Sequence, residues 1–174
     1  MMDHFNVKLF AEPGTSLNWA DLIPVFHRWI RESAVPGTLI DVADYAHVPE
    51  GPGVMLIADD GFYSVDNRAG ELGVLYNRRR PLSGDDRAKL EQAYDTALTA
   101  AKLLEKEVPG LRFREQDFEV FVNDRMLAPN TDETDQAVRP VVEDFCANRG
   151  IKAAVTRHAS DARSLYRLRI RPAA

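Results

Sequence analysis

Alternation between apolar and polar side chains opens the chain and then gives way to a longer period. Residues 5–10, FNVKLF, alternate with the two-residue period of a half-buried strand. Residues 14–33 carry apolar side chains at the three- and four-residue spacing of a helix. Pro24 lies in the first turns of this predicted helix, so we expect a late start or a kink there.

Two strand-like segments, 38–48 and 54–58, follow the helix and are separated by PEGPG. A phosphate-binding loop would need backbone N–H groups converging at the start of a helix. Here Pro49 and Pro52 each remove a donor, and the segment runs from strand to strand. We therefore interpret it as a turn. Asp60-Gly61, between the segment 54–58 and the next strand-like run, predicts a β-hairpin.

The middle of the chain predicts a meander and one long helix. The segments FYSVD and LGVLYN are joined by the turn composition NRAG. A helix from Ser83 or Asp85 to about Val108 has an alanine-rich face that would pack closely on a sheet, and Pro109-Gly110 ends it.

The last third of the sequence resembles the first. FEVFV repeats the Phe-x-Val start of FNVKL, and Pro140 stands in the last predicted helix as Pro24 does in the first. Two strand-like segments follow each helix. We therefore predict a single domain, 1–174, with a pseudo-repeat of two βαββ units, 5–58 and 118–171, joined by a hairpin extension, 59–80, and the long helix, 83–108. The predicted fold class is α+β, a two-layer sandwich with a mostly antiparallel sheet, helices on one face and a ferredoxin-like duplication. This comparison concerns architecture only and implies no function.

Composition adds constraints on the class of protein. A chain of 174 residues that is 45% hydrophobic can bury a core. The single cysteine, Cys146, cannot form an internal disulfide, no apolar run approaches the roughly 20 residues that span a bilayer, and the first residues lack the regions of a signal peptide. We expect a cytoplasmic protein with no membrane association. No motif for a metal or a cofactor is present, so none is predicted.

Charge argues against a general nucleic-acid binder, because the formal net charge is −5. Among the 22 basic residues, however, 17 are arginine and five are lysine. Arginine suits carboxylates, phosphates and interfaces better than lysine does. A codon bias towards arginine explains this count equally well.

A candidate acid–base set lies on the predicted strand 38–48. Asp41, Tyr45 and His47 share one face of that strand. An acid, a phenol and an imidazole on one face could form a proton-transfer set. The alternative is an ordinary polar row on a half-exposed sheet.

Two candidate anion-binding groups lie at strand ends. Arg78, Arg79 and Arg80 could hold a phosphate or a carboxylate; pairing with Asp85, Asp86 or Glu71 is the alternative. Arg125 lies in a strand-to-helix loop and could bind an anion near the helix N-terminus. Capping of that helix by neighbouring polar residues is the alternative explanation for the loop.

The carboxyl-terminal strand has the clearest pattern. Arg163, Arg167, Arg169 and Arg171 fall on one side, whereas Tyr166, Leu168 and Ile170 fall on the other. The apolar side is predicted to pack on the helices, and the arginine side is predicted to form the open face or edge of the sheet. That face could dock an anionic ligand, an acidic partner or a second subunit, or it could simply keep the sheet soluble.

Two hypotheses of different class follow. The first is a non-catalytic protein that binds an anionic small molecule or an acidic protein partner through these arginines, and that forms a homodimer. The alternative is a small enzyme that uses Asp41, Tyr45 and His47 on an anionic substrate. The enzyme needs His47 and an arginine in one pocket, whereas the binding protein does not. A nucleic-acid role ranks third, because the predicted open face lacks the interleaved aromatic residues of an RNA-binding sheet.

Overall fold

The protein forms one eight-stranded sheet and three α-helices, as described for residues 3–158, 161 and 163–173 of a computed structural model. Two short 3-10 turns, Trp19–Asp21 and Arg68–Gly70, accompany them. The strands are β1 (Phe5–Ala11), β2 (Leu39–Tyr45), β3 (Gly53–Ala58), β4 (Gly61–Asp66), β5 (Gly73–Arg78), β6 (Phe113–Val122), β7 (Ala153–Arg157) and β8 (Arg167–Pro172). The helices are α1 (Leu22–Glu32), α2 (Asp86–Glu107) and α3 (Asp132–Asn148).

All strand pairs of the sheet are antiparallel, in the order β2-β3-β4-β5-β1-β6-β8-β7. The predicted α+β class with an antiparallel sheet and helices is therefore confirmed. The duplication stays a prediction. In the carboxyl-terminal half β6 pairs directly with β8, whereas in the first half the β4–β5 hairpin separates β1 from β3.

The core lies between the helices and one face of the sheet. Tyr94 of α2 packs its ring 5.1 Å from the ring of Phe118 on β6 and 5.1 Å from that of Phe145 on α3. Ala97 and Ala100 of α2 are fully buried, so the small residues do bring this helix close to its neighbours. Asp85 caps α2 by accepting the Ala88 N–H at 2.8 Å.

The turns predicted from glycine and proline are present. A Cβ on Gly61 would lie 2.3 Å from the Asn77 carbonyl oxygen, and a Cβ on Gly53 would lie 1.9 Å from that of Val65. Only glycine allows these backbones to approach so closely. PEGPG is thus a connection between strands, as predicted. Pro24 is the third residue of α1, in the first turn, which fits the predicted late start.

One strand ends earlier than predicted, and this corrects the position of His47. β2 ends at Tyr45, and the Val48 N–H bonds back to the Tyr45 carbonyl at 2.9 Å to close a turn. The two prolines that follow cannot continue a ladder. The prediction that His47 lies on the same strand face as Asp41 and Tyr45 was therefore wrong.

Within the described residues, the helices are too short or too polar to cross a membrane.

Candidate ligand-binding groove on the open sheet face

Side chains that alternate away from the helices form the second face of the sheet, which we call the open face. Its central rows follow from the strand register: Lys8 pairs with Glu119, which pairs with Arg169, and Phe121 pairs with Arg167. A groove of about 460 Å³ lies over these strands. Its floor is formed by Lys8, Phe10, Leu75, Glu119, Phe121, Arg167 and Arg169. Its other lining residues are Asp66, Arg68, Ala69 and Glu71 in one wall, and Thr156, Arg157, His158, Ser164 and Arg171 towards β7 and the end of β8.

A buried ion pair fixes one wall to the floor. The Nζ atom of Lys8 donates to Asp66 Oδ1 at 2.7 Å and to the Glu71 carbonyl oxygen at 2.8 Å. The two charged side chains are only 7% and 5% exposed. Asp66 also accepts the backbone N–H of Arg68 at 2.9 Å. The Lys8–Asp66 pair therefore holds the wall segment 66–71 in place.

A second buried carboxylate orients Arg169. Asp117 lies 2.5 Å from Arg114 Nη1 and 2.5 Å from Arg169 Nη2, and its side chain is 3% exposed. The Arg169 guanidinium carbon lies 3.4 Å from the centre of the Phe10 ring, a cation–π contact. Burial lowers the pKa of Arg169, while the negative charges of Asp117 and Glu71 oppose that change.

Arg167 is held in the same manner. Its Nη1 donates to Glu119 Oε2 at 2.9 Å, and its guanidinium lies 4.6 Å from the Phe121 ring centre. The open face therefore does carry aromatic rings, which the sequence analysis did not expect. Phe10 and Phe121 are only 4% and 5% exposed, because the arginines cover them. Neither ring face is free to stack on a nucleic-acid base in this structure.

The lining of the groove has more positive than negative residues, although the chain as a whole has a net charge of −5. Its cationic residues are Lys8, Arg68, Arg157, Arg167, Arg169 and Arg171, and its carboxylates are Asp66, Glu71 and Glu119. Arg171 is exposed and forms no ion pair with any residue that the structure describes. It can therefore contact a ligand without breaking an existing pair.

The arginines at the end of β5 do not line this groove. Arg78 lies 3.5 Å from Asp60, and Arg80 lies 2.7 Å from Asp59. Pairing with acids was the alternative considered for this cluster, but the partners lie in the β3–β4 hairpin rather than at the start of α2. Arg79 is exposed beside them.

Arg125 also lies outside the groove. It is exposed in the loop after β6, and its Nη1 donates to the Arg163 carbonyl at 3.0 Å. Among the predicted arginines, the structure brings Arg167, Arg169 and Arg171 together in the groove and leaves the others elsewhere.

The candidate acid–base residues lie at the opposite edge of the sheet. Asp41 and Tyr45 are on the edge strand β2, and six strand-to-strand spacings of about 4.8 Å separate β2 from β8. No hydrogen bond connects Asp41, Tyr45 and His47, all of which the structure describes. The proposed acid–base residues therefore lie outside the groove that contains Arg167, Arg169 and Arg171.

The structure gives little support for nucleophilic catalysis by cysteine or for metal binding. Cys146 is 5% exposed, and burial raises the pKa of its thiol to about 11, so it lacks the thiolate character of a nucleophile. Within the described part of the chain, no group of three or more His, Cys, Asp or Glu side chains could hold a metal ion.

Sequence reasoning missed the carboxylates that pair with the cations of the groove. Asp117 and Glu119 alternate with Phe118 and Val120 along β6, so the pattern itself indicated that these carboxylates share the face opposite the core. The pattern could not show that β8 would be their neighbour. Asp66 and Glu71 had no comparable signal, because they lie at a strand end and in a loop.

No family model matches the chain, and no similar protein was found among curated sequences or solved structures. The proposed function therefore rests on the geometry of this groove.

Proposed function

We propose that the protein binds an anionic small molecule in the groove on the open sheet face. The observation that carries this proposal is a lining rich in cations on a chain with a net charge of −5. Such a local excess of positive charge attracts anions even when the whole molecule is acidic.

Size and rigidity support a binding role. Ligand pockets commonly have volumes of roughly 300–1,000 Å³, and this groove measures about 460 Å³. Its floor is fixed by the Lys8–Asp66 and Arg167–Glu119 pairs. A site whose side chains are already oriented loses less conformational entropy when a ligand binds.

The arginines of β8 take different roles in this proposal. Arg167 and Arg169 are held by carboxylates and rings, which fix their positions and offset their charges, so they shape the floor of the groove. Arg171 is exposed and provides a direct contact. Arg68 projects from the wall and donates through Nε to the Glu50 carbonyl at 3.3 Å, which leaves its positive charge without a carboxylate partner in the groove.

Native mass spectrometry of the purified protein tests this proposal. We expect an additional small mass under gentle conditions that is lost on denaturation, and its value gives the size of the ligand. In the Arg171→Gln variant most of the protein should lack this additional mass. The Arg87→Gln variant, a matched change on the exposed surface of α2, should carry it as wild type does.

The same spectra report whether the protein forms the predicted homodimer. A clean protein mass in wild type under both conditions would count against a tightly bound small molecule. An acidic protein partner would then be sought by capture on immobilised wild type and on Arg171→Gln.

A further inference from the structure

The outer edge of the Arg169 guanidinium is occupied by a carboxylate from the chain itself. Arg169 Nη2 lies 3.3 Å from Glu71 Oε1, and Nη1 lies 3.4 Å from Glu71 Oε2. The two side chains thus face each other edge to edge. This is the bidentate arrangement by which arginine binds a carboxylate.

Glu71 holds this position loosely. Charge-assisted N–H···O bonds are usually about 2.7–2.9 Å long, so both contacts are longer than is typical. The Glu71 side chain is 46% exposed, whereas Asp117, whose Oδ1 lies 2.5 Å from the same Nη2 atom, is 3% exposed. Of the two carboxylates, Glu71 is the one that another anion can displace at low cost.

Displacing Glu71 would not disturb the wall. The backbone of Glu71 is held independently of its side chain: its N–H bonds to the Arg68 carbonyl at 3.1 Å, and its carbonyl accepts Lys8 Nζ at 2.8 Å. The carboxylate can therefore rotate away while residues 66–71 stay in place.

Arg169 would keep its orientation without Glu71. The guanidinium lies over the Phe10 ring, and Asp117 Oδ1 lies 2.5 Å from its Nη2 atom. The Nε atom is buried and has no hydrogen-bond partner among the described residues. The Glu71-facing edge is thus the part of Arg169 that can exchange partners.

We propose that this edge of Arg169 is the binding position for a ligand carboxylate, and that Glu71 occupies it when no ligand is bound. The inference rests on the proposed function and specifies its ligand class, an organic carboxylate. Arg171, two residues further along β8, lies about 7 Å away along the strand. A second anionic group on the same ligand would reach it.

Isothermal titration calorimetry tests the inference with succinate as the probe and inorganic phosphate as the comparison, at one fixed ionic strength. The proteins are wild type, Glu71→Gln and Glu143→Gln. The last is a matched control, since Glu143 is an exposed carboxylate on α3, on the helical side of the sheet. Melting curves check that Glu71→Gln remains folded.

We expect Glu71→Gln to bind succinate roughly threefold to fivefold more tightly than wild type, in the upper part of the range of about 1.4-fold to fivefold for removing an exposed ion pair. Glu143→Gln should match wild type. Equal succinate affinity in all three proteins would overturn the role of Glu71 and leave the proposed function standing. Binding of phosphate without binding of succinate would overturn the carboxylate assignment. If none of the proteins bound either anion, the inference and the proposed function would both fail.

Discussion

Lys8 Nζ lies 2.7 Å from Asp66 Oδ1, with both side chains buried on the sheet face opposite the helices. Removing one member of such a pair leaves an uncompensated buried charge. We expect Lys8→Met to lower the free energy of unfolding by about 3–5 kcal/mol, as measured by urea denaturation. Lys152→Met, at an exposed position, is the control. A loss below about 1 kcal/mol would show that the pair does not fix the groove wall.

The Asp135 carboxylate should make the stability of the folded protein depend on pH. Burial tends to raise its pKa, but hydrogen bonds from Arg139 and Tyr166 prevail, so the pKa is lowered from 3.8. A carboxyl whose pKa is lower in the folded protein than in the unfolded protein stabilises the fold at pH values above the unfolded-state pKa. This stabilisation is lost as the pH falls through the folded-state pKa. We therefore expect the stabilisation by Asp135 to be lost at pH values below about 4.

Urea denaturation between pH 7 and pH 3 checks this response. Wild type should be more stable than Asp135→Asn at pH 7, and the difference should shrink below about pH 4. A difference that stays the same at every pH would show that Asp135 does not carry this effect.

Cys146 should be nearly inert in the folded protein. Burial raises the pKa of its thiol to about 11, and the thiolate is the reactive form. At pH 8 we expect a thiol-specific chromogenic disulfide to label native protein roughly a hundredfold more slowly than protein in urea. Similar rates in both states would place the thiol in an exposed environment.

At His47 the proposed function and the acid–base hypothesis predict different results. His47 lies in the turn after β2 and does not line the groove. Changing His47 to Ala should therefore leave succinate affinity within about twofold of wild type, a difference of less than 0.5 kcal/mol. A larger loss in calorimetric titrations would mean that the β2 edge takes part in binding, and it would favour the enzyme hypothesis.

Local patterns in the sequence predicted most of the helices and strands. They also predicted which side chains of β8 face the core. Leu168 and Ile170 are fully buried, and Arg167 and Arg169 face the other way, as the alternation indicated. Asp85 was one of the two starts proposed for the long helix, and it is the N-cap of α2. These features depend on residues that are close in sequence, so a single sequence contains them.

The composition of the groove could not be predicted in the same way, because its pairs join distant parts of the chain. Glu71 was considered as a partner for Arg78–Arg80, yet it contacts Arg169 across the wall of the groove. Asp117 meets Arg169 only because β6 pairs with β8. Strand order decides such contacts, and periodicity within one strand does not encode strand order.

The most direct test of anion binding by the groove is a calorimetric titration of succinate into wild type, Arg171→Gln and Arg87→Gln. Arg171 is exposed in the lining, whereas Arg87 pairs with Glu91 on the surface of α2. We predict that Arg171→Gln weakens binding about tenfold, the loss of one charge-assisted contact, while Arg87→Gln binds as wild type does. Equal affinity in the three proteins would contradict binding in the groove.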